Sequence, residues 1–411
     1  MRIIEPLFDL EFNAPTITDS IANFHIPQGE KTIVPDYIER KILEKQEQYK
    51  GPPILKKSSP LEKDINIYNG QDLTGKILLI IRSGGIGDLL FITPTARFLK
   101  NKYPTCKIIL ICDRRYIPAF KGLPFFDHNL RIPTPLKEVE KFVGFPISKA
   151  NTFFVSFEGL IEEGGGAKTK NAYDLFKEKF GIKEEIDYHP EIILDEELDA
   201  KVKAIVNRDR LNIAIQPTAS SPIRTWRDVH IAEFLNLINF DRETTIWIVD
   251  SPTKTKYIEN NILSRVRNKN PKIEFINFSK QSVSLLHSIA LFKNMDLIIG
   301  PDSSALHIAA CFNIPLVGIF SPFHTALRLK YYKNALGLDL NSDCQFADNE
   351  YHSCFQHGHI CLNAQRLNRI FSPCMDLMRP ETVYERVEQF LVNDLKLLDA
   401  AKTIFTFDGR K

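Results

Sequence analysis

The sequence predicts an α/β protein built from two doubly wound parallel units that follow one another along the chain. Short continuous apolar runs, typical of strands buried on both faces, alternate with amphipathic segments of helical periodicity. This alternation begins at Lys76 and restarts after Arg210. A length of 411 residues is also too great for one ordinary core, so two domains and an extension are expected.

The first unit begins with the apolar run KILLIIR at 76–82, which a glycine-rich turn follows. After the turn, apolar residues recur at spacings of three and four and predict an amphipathic helix. Further strands are predicted at 106–113 and 151–157, and a later helix at 172–180. Strand, helix and strand at these lengths indicate parallel pairing through right-handed crossovers.

The second unit repeats this alternation from a strand at 212–216 to a last strand at 316–320. The elements predicted between them are a helix at 231–238, a strand at 245–249, a helix at 254–266, a strand at 273–278, a helix at 283–292, a strand at 297–300 and a helix at 305–311. Open parallel sheets bind ligands at the carboxyl ends of their strands. Two such units therefore predict a cleft between these ends.

Two flanking segments complete the predicted organisation. The first is rich in proline, contains one short charged helix near 38–49 and is interpreted as an arm or small appendage packed on the main body. The second is rich in cysteine and histidine and ends in a helix that opens at Arg379. The predicted domains are 1–75 as an N-terminal extension, 76–204 and 205–340 as the two units, and 341–411 as the Cys/His-rich segment with its closing helix.

Composition excludes several classes of protein. Lys and Arg number 53 against 51 Asp and Glu, and a net charge of +2 gives no reason to propose nucleic-acid binding. The N-terminus lacks the basic start and apolar run of a signal peptide, and no uncharged apolar stretch approaches the roughly 20 residues of a membrane span. Seven cysteines without an export signal favour the cytoplasm, with thiols reduced or bound to metal.

The turn after the first strand, SGGIGD at 83–88, is the first candidate site. Gly84, Gly85 and Gly87 permit a tight turn and a close approach of the backbone to a ligand. Asp88 stands at the start of the following helix and is either its N-cap, a role that aspartate favours, or a catalytic group. The turn is not the fingerprint G-x-G-x-x-G, which disfavours a dinucleotide oxidoreductase.

The turn after the strand at 297–300 is the second candidate site. Asp302, Ser303 and Ser304 lead into a helix whose free N–H groups, together with two hydroxyls, suit a phosphate. His307 lies one turn further along and can donate a hydrogen bond to the same anion. The alternative is an ordinary capped helix that contains a histidine whose hydrogen bonds are made within the protein.

The loop PTASSPIRTW at 217–226, which we call the arginine loop, is the third candidate site. It follows the strand at 212–216 and contains Thr218, Ala219 and Arg224. A guanidinium beside hydroxyls suits a diphosphate and can take the place of a metal ion there. Considered alone, the segment is equally a surface loop with one arginine.

Together these motifs resemble glycosyltransferase family 9, the ADP-heptose:lipopolysaccharide heptosyltransferases. The resemblance rests on the order and spacing of RSGGIGDLLFITP at 82–94, the arginine loop, and GPDSSALHIAA and PLVGIFSP within 300–322. It implies a GT-B fold of two facing Rossmann-like domains, with the acceptor on the N-terminal and the donor on the C-terminal domain. It also implies an inverting transfer of a heptose or related sugar that needs no metal ion.

The resemblance assigns a role to each motif. Asp88 matches the family's proposed base, which takes the proton of the acceptor hydroxyl. Arg224 lies where the family has a basic residue near the donor diphosphate. Asp250 is the candidate to bind the ribose of the nucleoside, although the segment DSPTKTK, which begins at this residue, departs from the family patterns. The other donor-binding residues that it implies are Thr218, Ala219, Asp302, Ser303, Ser304 and His307.

The implied partners are a nucleotide-sugar donor, with ADP-heptose favoured, and an acceptor. The acceptor is lipopolysaccharide or another glycan, a lipid-linked sugar reached by peripheral contact with the inner face of a membrane, or a protein. A protein acceptor would make residues 1–75 a recognition module. The remaining alternative is an inactive nucleotide-sugar-binding protein, against which the retention of Asp88 argues. No cofactor is expected for catalysis.

Four of the seven cysteines fall in one loop-rich stretch that has three histidines among them. They are Cys344, Cys354, Cys361 and Cys374, with His352, His357 and His359 between them. Four sulfur or nitrogen ligands suit tetrahedral zinc or iron, although the spacing is not that of paired C-x-x-C knuckles. The alternatives are a structural metal ion, reduced thiols in a loop, or disulfides in an oxidising compartment.

Overall fold

The computed structural model divides the chain into two compact units, Met1–Ile193 and Leu194–Lys411. The structure describes residues 1–15, 21–48, 51, 53–161, 170–282, 284–320, 324–340, 347–348, 351–352 and 361–399. Each unit contains one parallel sheet with helices, as the predicted α/β class requires. Within the described ranges, no helix combines the length and the apolar character needed to cross a membrane.

The first unit contains eleven strands and five helices among its described residues. The strands are β1 (Arg2–Pro6), β2 (Leu10–Pro15), β3 (Ile21–Ile26), β4 (Thr32–Val34), β5 (Leu55–Pro60), β6 (Asn66–Ile67), β7 (Ile77–Ile81), β8 (Lys107–Cys112), β9 (His128–Arg131), β10 (Thr134–Pro135) and β11 (Thr152–Ser156). The helices are α1 (Asp36–Gln48), α2 (Ile86–Lys102), α3 (Ile117–Phe120), α4 (Leu136–Val143) and α5 (Ala172–Lys179).

The first 75 residues join the first unit through two sheets. β1 and β4 are the inner strands of an antiparallel sheet in the order β10-β4-β1-β5, so β10 pairs with a strand of the extension. β6 adds a short parallel edge strand beside β11. α1, which lies where the sequence predicts a helix, shares an apolar core with β1 and the hairpin of β2 and β3 through Ile4, Phe24, Ile38 and Ile42.

The parallel sheet of the first unit has the strand order β6-β11-β7-β8-β9. β7 is buried at every residue, which explains its continuous apolar sequence. The chain runs outward from β7 through β8 to β9 and then returns to β11 on the other side of β7. The topological switch point, where such sheets bind ligands, therefore lies between β7 and β11.

The second unit contains eight strands and nine helices among its described residues. The strands are β12 (Leu211–Ile215), β13 (Thr244–Ile248), β14 (Ile273–Asn277), β15 (Leu297–Pro301), β16 (Leu316–Phe320), β17 (Ala335–Asp339), β18 (Ala347–Asp348) and β19 (Tyr351–His352). The helices are α6 (Glu196–Lys203), α7 (Asp228–Leu237), α8 (Thr255–Tyr257), α9 (Leu285–Lys293), α10 (Ser304–Cys311), α11 (Ala326–Leu329), α12 (Leu362–Arg366), α13 (Pro373–Leu377) and α14 (Pro380–Gln389).

The parallel sheet of the second unit has the strand order β14-β13-β12-β15-β16-β17. Counted along the chain this is 3-2-1-4-5-6, the order of dinucleotide-binding folds, and it places the switch point between β12 and β15. Those are the two strands that lead into the arginine loop and into Asp302. The closing helix α14 covers one face of this sheet together with α7, and their apolar residues form one core with β12 and β13.

One prediction for the second unit is wrong. The strand at 316–320 is not the last one, because β17 follows it at the edge of the sheet. The sequence does not reveal β17 because this strand is only partly buried and has no continuous apolar run. The segment predicted as a helix at 254–266 is helical, but it consists of α8 followed by a π turn and a 3₁₀ turn. Asn261 Nδ2 donates to Tyr257 O at 3.1 Å and Ser264 Oγ to Asn260 O at 2.6 Å, and such side-chain bonds to the backbone compete with a regular helix.

Candidate functional site

The glycine turn, residues 83–88, positions Asp88 at the carboxyl end of β7. Gly85 is the N-cap of α2 and has a φ of 77°, a left-handed conformation that glycine tolerates. A Cβ atom at Gly85 would also lie 2.6 Å from Asp88 Oδ2, so the carboxylate occupies the space of the missing side chain. Asp88 is the third residue of the helix, and the N-cap alternative for it is therefore wrong.

Arg82 holds the glycine turn and its carboxylate together. Its side chain is 1% exposed, and its Nη2 donates to Asp88 Oδ2, while the Asp88 side chain is 18% exposed. Nε donates to Gly84 O and Nη1 to Phe157 O, both at 2.9 Å. No role for Arg82 is predicted from the sequence, although a charged residue that closes an apolar strand run is a signal for a buried partner.

Glu158 connects the glycine turn with the loop after β11, across the switch point. Its Oε1 accepts a hydrogen bond from Ser83 N, and its Oε2 accepts one from Ser83 Oγ at 2.8 Å. Tyr37 of α1 lies beside this pair, where burial and the charge of Glu158 raise the pKa of Tyr37 to about 12. The N-terminal extension thus brings a side chain to this edge of the sheet. Neither Tyr37 nor Glu158 stands in a sequence motif that predicts this position.

An ion pair joins the two loops at the switch point of the second unit. Arg224 Nη1 donates to Asp302 Oδ2 at 3.0 Å and to Asp302 O at 3.1 Å, and its Nη2 donates to Ser220 Oγ. Gln216 Oε1 accepts from Ala305 N at 3.2 Å, within the first turn of α10. The second and third sequence motifs therefore lie side by side in the structure.

Asp302 lies in a buried cluster of charges. It is 4% exposed, Arg328 is 3% exposed, and Arg328 Nε lies 4.0 Å from Asp302 Oδ1. Burial acts to raise the pKa of Asp302, but the positive charges of Arg224 and Arg328 outweigh it and hold this pKa below its ordinary value. Two guanidinium groups therefore lie around one carboxylate beside the start of α10. Arg328 has no recognisable signal in the sequence.

His307 lies one helical turn into α10 and is buried. Its Nδ1 is 2.6 Å from the hydroxyl of Tyr332, and its Nε2 is 4.0 Å from Asp302 Oδ1. Burial lowers the pKa of His307 to about 4, so the ring is neutral at pH 7. A neutral imidazole donates from one nitrogen only. When the Tyr332 hydroxyl donates to Nδ1, the proton lies on Nε2, on the side of Asp302.

The start of α10 carries the two serines of the second motif. Ser303 is the N-cap, with extended backbone angles, and Ser304 is the first helical residue. The Ser303 hydroxyl oxygen is buried and has no hydrogen-bond partner among the residues that the structure describes. A hydroxyl in this position can donate to an anion that the first N–H groups of the helix also contact.

Asp250, at the end of β13, holds the arginine loop in place. Its Oδ2 accepts from Thr218 Oγ1 at 2.6 Å and from Thr218 N at 3.2 Å, and its Oδ1 accepts from Ser251 N at 2.7 Å. Burial raises the pKa of Asp250, although these hydrogen bonds act in the opposite direction. Within the loop, Ala219 N donates to Thr225 Oγ1 at 3.1 Å. The structure thus places Asp250, Thr218 and Ala219 together.

The predicted cysteine cluster falls only partly on described residues. Cys344 and Cys354 lie outside them. Cys361 is buried before α12, and its Sγ accepts a hydrogen bond from Ala364 N at 3.3 Å, a contact that fits both a helix N-cap and a thiolate. Cys374 is half-buried in α13. Among the described parts of the chain, no three His, Cys, Asp or Glu side chains are grouped to hold a metal ion.

A family model identifies the class of protein to which these sites belong. The model of glycosyltransferase family 9 (heptosyltransferase) matches residues 143–353, which are 211 of the 411 residues. The chain belongs to glycosyltransferase family 9. The predicted family and the predicted class of enzyme, a glycosyltransferase, are thereby confirmed. A comparison with curated protein sequences finds no match.

Solved structures confirm the predicted fold class. The ADP-heptose lps heptosyltransferase II of E. coli is similar with a TM-score of 0.54 and 15% identity, over 77% of this chain and 98% of that chain. The glycosyl transferase family 9 protein of Veillonella parvula gives a TM-score of 0.55 and 15% identity, over 78% and 99%. The iron-containing dodecameric glycosyltransferase TibC of enterotoxigenic E. coli gives 0.50 and 12%, over 95% and 93%.

Proposed function

We propose that this glycosyltransferase moves a heptose or a related sugar from an ADP-linked donor to a glycan acceptor, with inversion at the transferred carbon. The observation that carries the proposal is the cluster that the partly exposed Arg224 forms with the buried Asp302 and Arg328 at the switch point of the second unit. Support for the donor comes from the E. coli relative of the same fold, which is an ADP-heptose heptosyltransferase.

The donor diphosphate is proposed to bind at the start of α10. As the bond between sugar and diphosphate breaks, negative charge grows on the leaving phosphate. The guanidinium groups of Arg224 and Arg328, the buried Ser303 hydroxyl and the helix N–H groups can stabilise this charge. His307 adds one donor and no charge at pH 7. Asp250 is proposed to contact the ribose while it holds the arginine loop.

Asp88 is proposed to be the general base. The acceptor hydroxyl oxygen forms the new bond to the sugar carbon, its proton passes to the Asp88 carboxylate, and the diphosphate leaves with the electrons of the old bond. The carboxylate is partly exposed and is oriented by the buried Arg82 guanidinium. Attack on the face opposite the leaving group inverts the configuration of the carbon, and this single displacement requires no second nucleophile.

Transfer kinetics with Asp88→Asn test this proposal. The amide keeps the size of the side chain but cannot accept the proton, so kcat with ADP-heptose should fall by about 10²- to 10⁴-fold. The affinity for ADP should not change. The matched control is Asp127→Asn, because Asp127 also pairs with a cation, Lys100, but at the opposite ends of the strands. If Asp88→Asn transfers at the wild-type rate, Asp88 is not the base.

A protein acceptor is the second candidate, and the position of Tyr37 favours it. The extension places this side chain beside Ser83 and Glu158, next to the turn that carries Asp88. An acceptor that approaches this turn would therefore also meet the extension. The test compares transfer to a lipopolysaccharide core oligosaccharide and to unmodified protein from the same cells. Label transferred only to protein would favour this candidate over the glycan.

We also propose a structural metal ion, zinc or iron, at Cys344, Cys354, Cys361 and Cys374. The clustering of these cysteines and the N–H bond to Cys361 Sγ support it, and the similar protein TibC is iron-containing. Elemental analysis of protein purified without chelator should find about one zinc or iron per chain, reduced in Cys361→Ser. The matched control is Cys106→Ser, which replaces a buried cysteine of the first unit. Wild-type protein without metal would contradict the proposal.

A further inference from the structure

Residues 361–378, which we call the C-terminal brace, pack against the arginine loop of the same unit. The brace contains α12 and α13 and follows the region that the family model matches, which ends at residue 353. The contacts between the brace and the loop fall on both sides of Arg224. They bear on how this arginine is held in the proposed donor site.

The first set of contacts precedes Arg224. Ser372 is fully buried, and its Oγ donates to Ile223 O at 2.8 Å. The Ile223 side chain packs with Cys361 and Ala364 in a small apolar cluster of its own. The residue directly before Arg224 is therefore fixed by the brace through both its backbone and its side chain.

The second set of contacts follows Arg224. The buried indole of Trp226 donates through Nε1 to Met378 O at 2.9 Å. Arg227 Nη1 lies 3.2 Å from Asp376 Oδ1, and the Arg227 guanidinium lies 5.8 Å from the centre of the Phe371 ring. The chain after Arg224 is thus held by two further hydrogen-bonded contacts with the brace.

Arg224 depends on these flanking contacts because its own turn is short. It ends a single 3₁₀ turn, Pro222–Arg224, whose local backbone bonds run from Arg224 N to Ser221 O at 3.1 Å and from Thr225 N to Pro222 O at 3.2 Å. An isolated 3₁₀ turn has few and poorly aligned hydrogen bonds. The guanidinium must nevertheless reach Asp302, and small errors in such a position weaken the binding of an anion.

We propose that the C-terminal brace is part of the donor site and that Ser372 and Asp376 are positioning residues for Arg224. Through Ile223 and Arg227 they fix the backbone from which the guanidinium reaches the diphosphate of the nucleotide. Neither residue needs to contact the nucleotide itself. This inference rests on the proposed function of Arg224 in binding the donor diphosphate.

Binding of ADP to the full-length protein, measured by calorimetry, tests the inference. Ser372→Ala leaves the buried Ile223 carbonyl without its donor and should weaken ADP binding by about tenfold, an effect of the size of one buried hydrogen bond. Asp376→Asn, at a partly exposed position, should weaken it by about threefold and serves if Ser372→Ala folds poorly. Glu381→Gln, exposed on α14, is the control that should bind ADP normally.

A double-mutant cycle separates positioning from general loss of structure. In an Arg224→Ala background, Ser372→Ala should cause no further loss of ADP affinity, because the group that it positions is gone. An equal loss in both backgrounds would overturn the inference, as would normal ADP binding by both brace variants. If Arg224→Ala itself binds ADP normally, the proposed donor role of Arg224 fails instead. Melting temperatures of all variants identify those that do not fold.

Discussion

The switch points of the two parallel sheets have the same topology but carry different charged groups. In the first unit, the loops that follow β7 and β11 carry two carboxylates, those of Asp88 and Glu158. The buried guanidinium of Arg82 lies with them. In the second unit the proportion is reversed, since two guanidinium groups surround the carboxylate of Asp302. Carboxylates therefore predominate among the groups named at the first switch point, and guanidinium groups predominate among those named at the second.

Under the proposed function, the topology of each sheet determines where its ligand binds, and the side chains there determine which ligand it is. A proton acceptor needs a carboxylate, and a leaving diphosphate needs cations. Each site also contains an arginine that is almost completely buried and paired with an aspartate. This arginine is Arg82 in the first unit and Arg328 in the second. A buried charge of this kind is tolerated only while its partner is present.

Among the substitutions that test this comparison, Asp302→Asn should have the largest effect on the free energy of unfolding. The substitution removes the carboxylate that pairs with both Arg224 and Arg328, which should lower the free energy of unfolding by about 3 kcal/mol. Urea unfolding measures this change in the free energy of unfolding. The control is Asp296→Asn at the other end of β15, where the carboxylate accepts a bond from Asn212 N and the cost should be about 1 kcal/mol. Equal losses would show that the cluster is not held by this carboxylate.

The buried parallel strands could be predicted from the sequence because burial on both faces requires a continuous apolar run. β7 and β12 are buried at every residue and were predicted to within one or two residues. β17 and β6, at sheet edges, have no such run. The pairing of β10 with β4 joins segments about a hundred residues apart, and no local pattern encodes it.

The candidate sites divide in the same way. Asp88 and Arg224 stand in local motifs and could be named from the sequence. Glu158 and Arg328 could not, because a charged side chain becomes part of a site only through partners distant in the sequence. Glu158 lies 75 residues from Ser83, the residue that it binds. Such partners follow from the order of the strands, which local patterns leave undetermined.

His307, at the second switch point, should make the free energy of unfolding depend on pH. The unfolded histidine has a pKa of 6.5 and the folded one a pKa of about 4, so between these values the unfolded chain binds the proton and the folded chain does not. Stability should therefore fall as the pH falls from 6.5 to 4, by about 3 kcal/mol in total. Protonation would also add a positive charge beside Asp302.

Urea unfolding at several pH values between 7 and 4 measures this effect. His307→Gln does not titrate and should lose that part of the pH dependence, whereas the exposed control His25→Gln should keep it. If His307→Gln shows the same loss of stability at low pH as the wild type, another group is responsible. The neutral state assigned to His307 at pH 7 would then need to be revised.

Glu158→Gln should have the smallest effect and is the sharpest test of the charge difference. The substitution removes one of the two carboxylates named at the first switch point while it keeps the shape of the side chain. The amide oxygen can still accept one bond from Ser83, so the free energy of unfolding should fall by only about 1 kcal/mol. Because the positive site lies in the other unit, ADP affinity should not change, while kcat/KM for the acceptor should fall a few fold. The control is Glu191→Gln, whose carboxylate pairs with Arg97 in the same unit and should affect neither quantity. If ADP affinity falls as much as kcat/KM for the acceptor, the first switch point does not serve the acceptor alone. The proposed division into an acceptor site in the first unit and a donor site in the second would then be wrong.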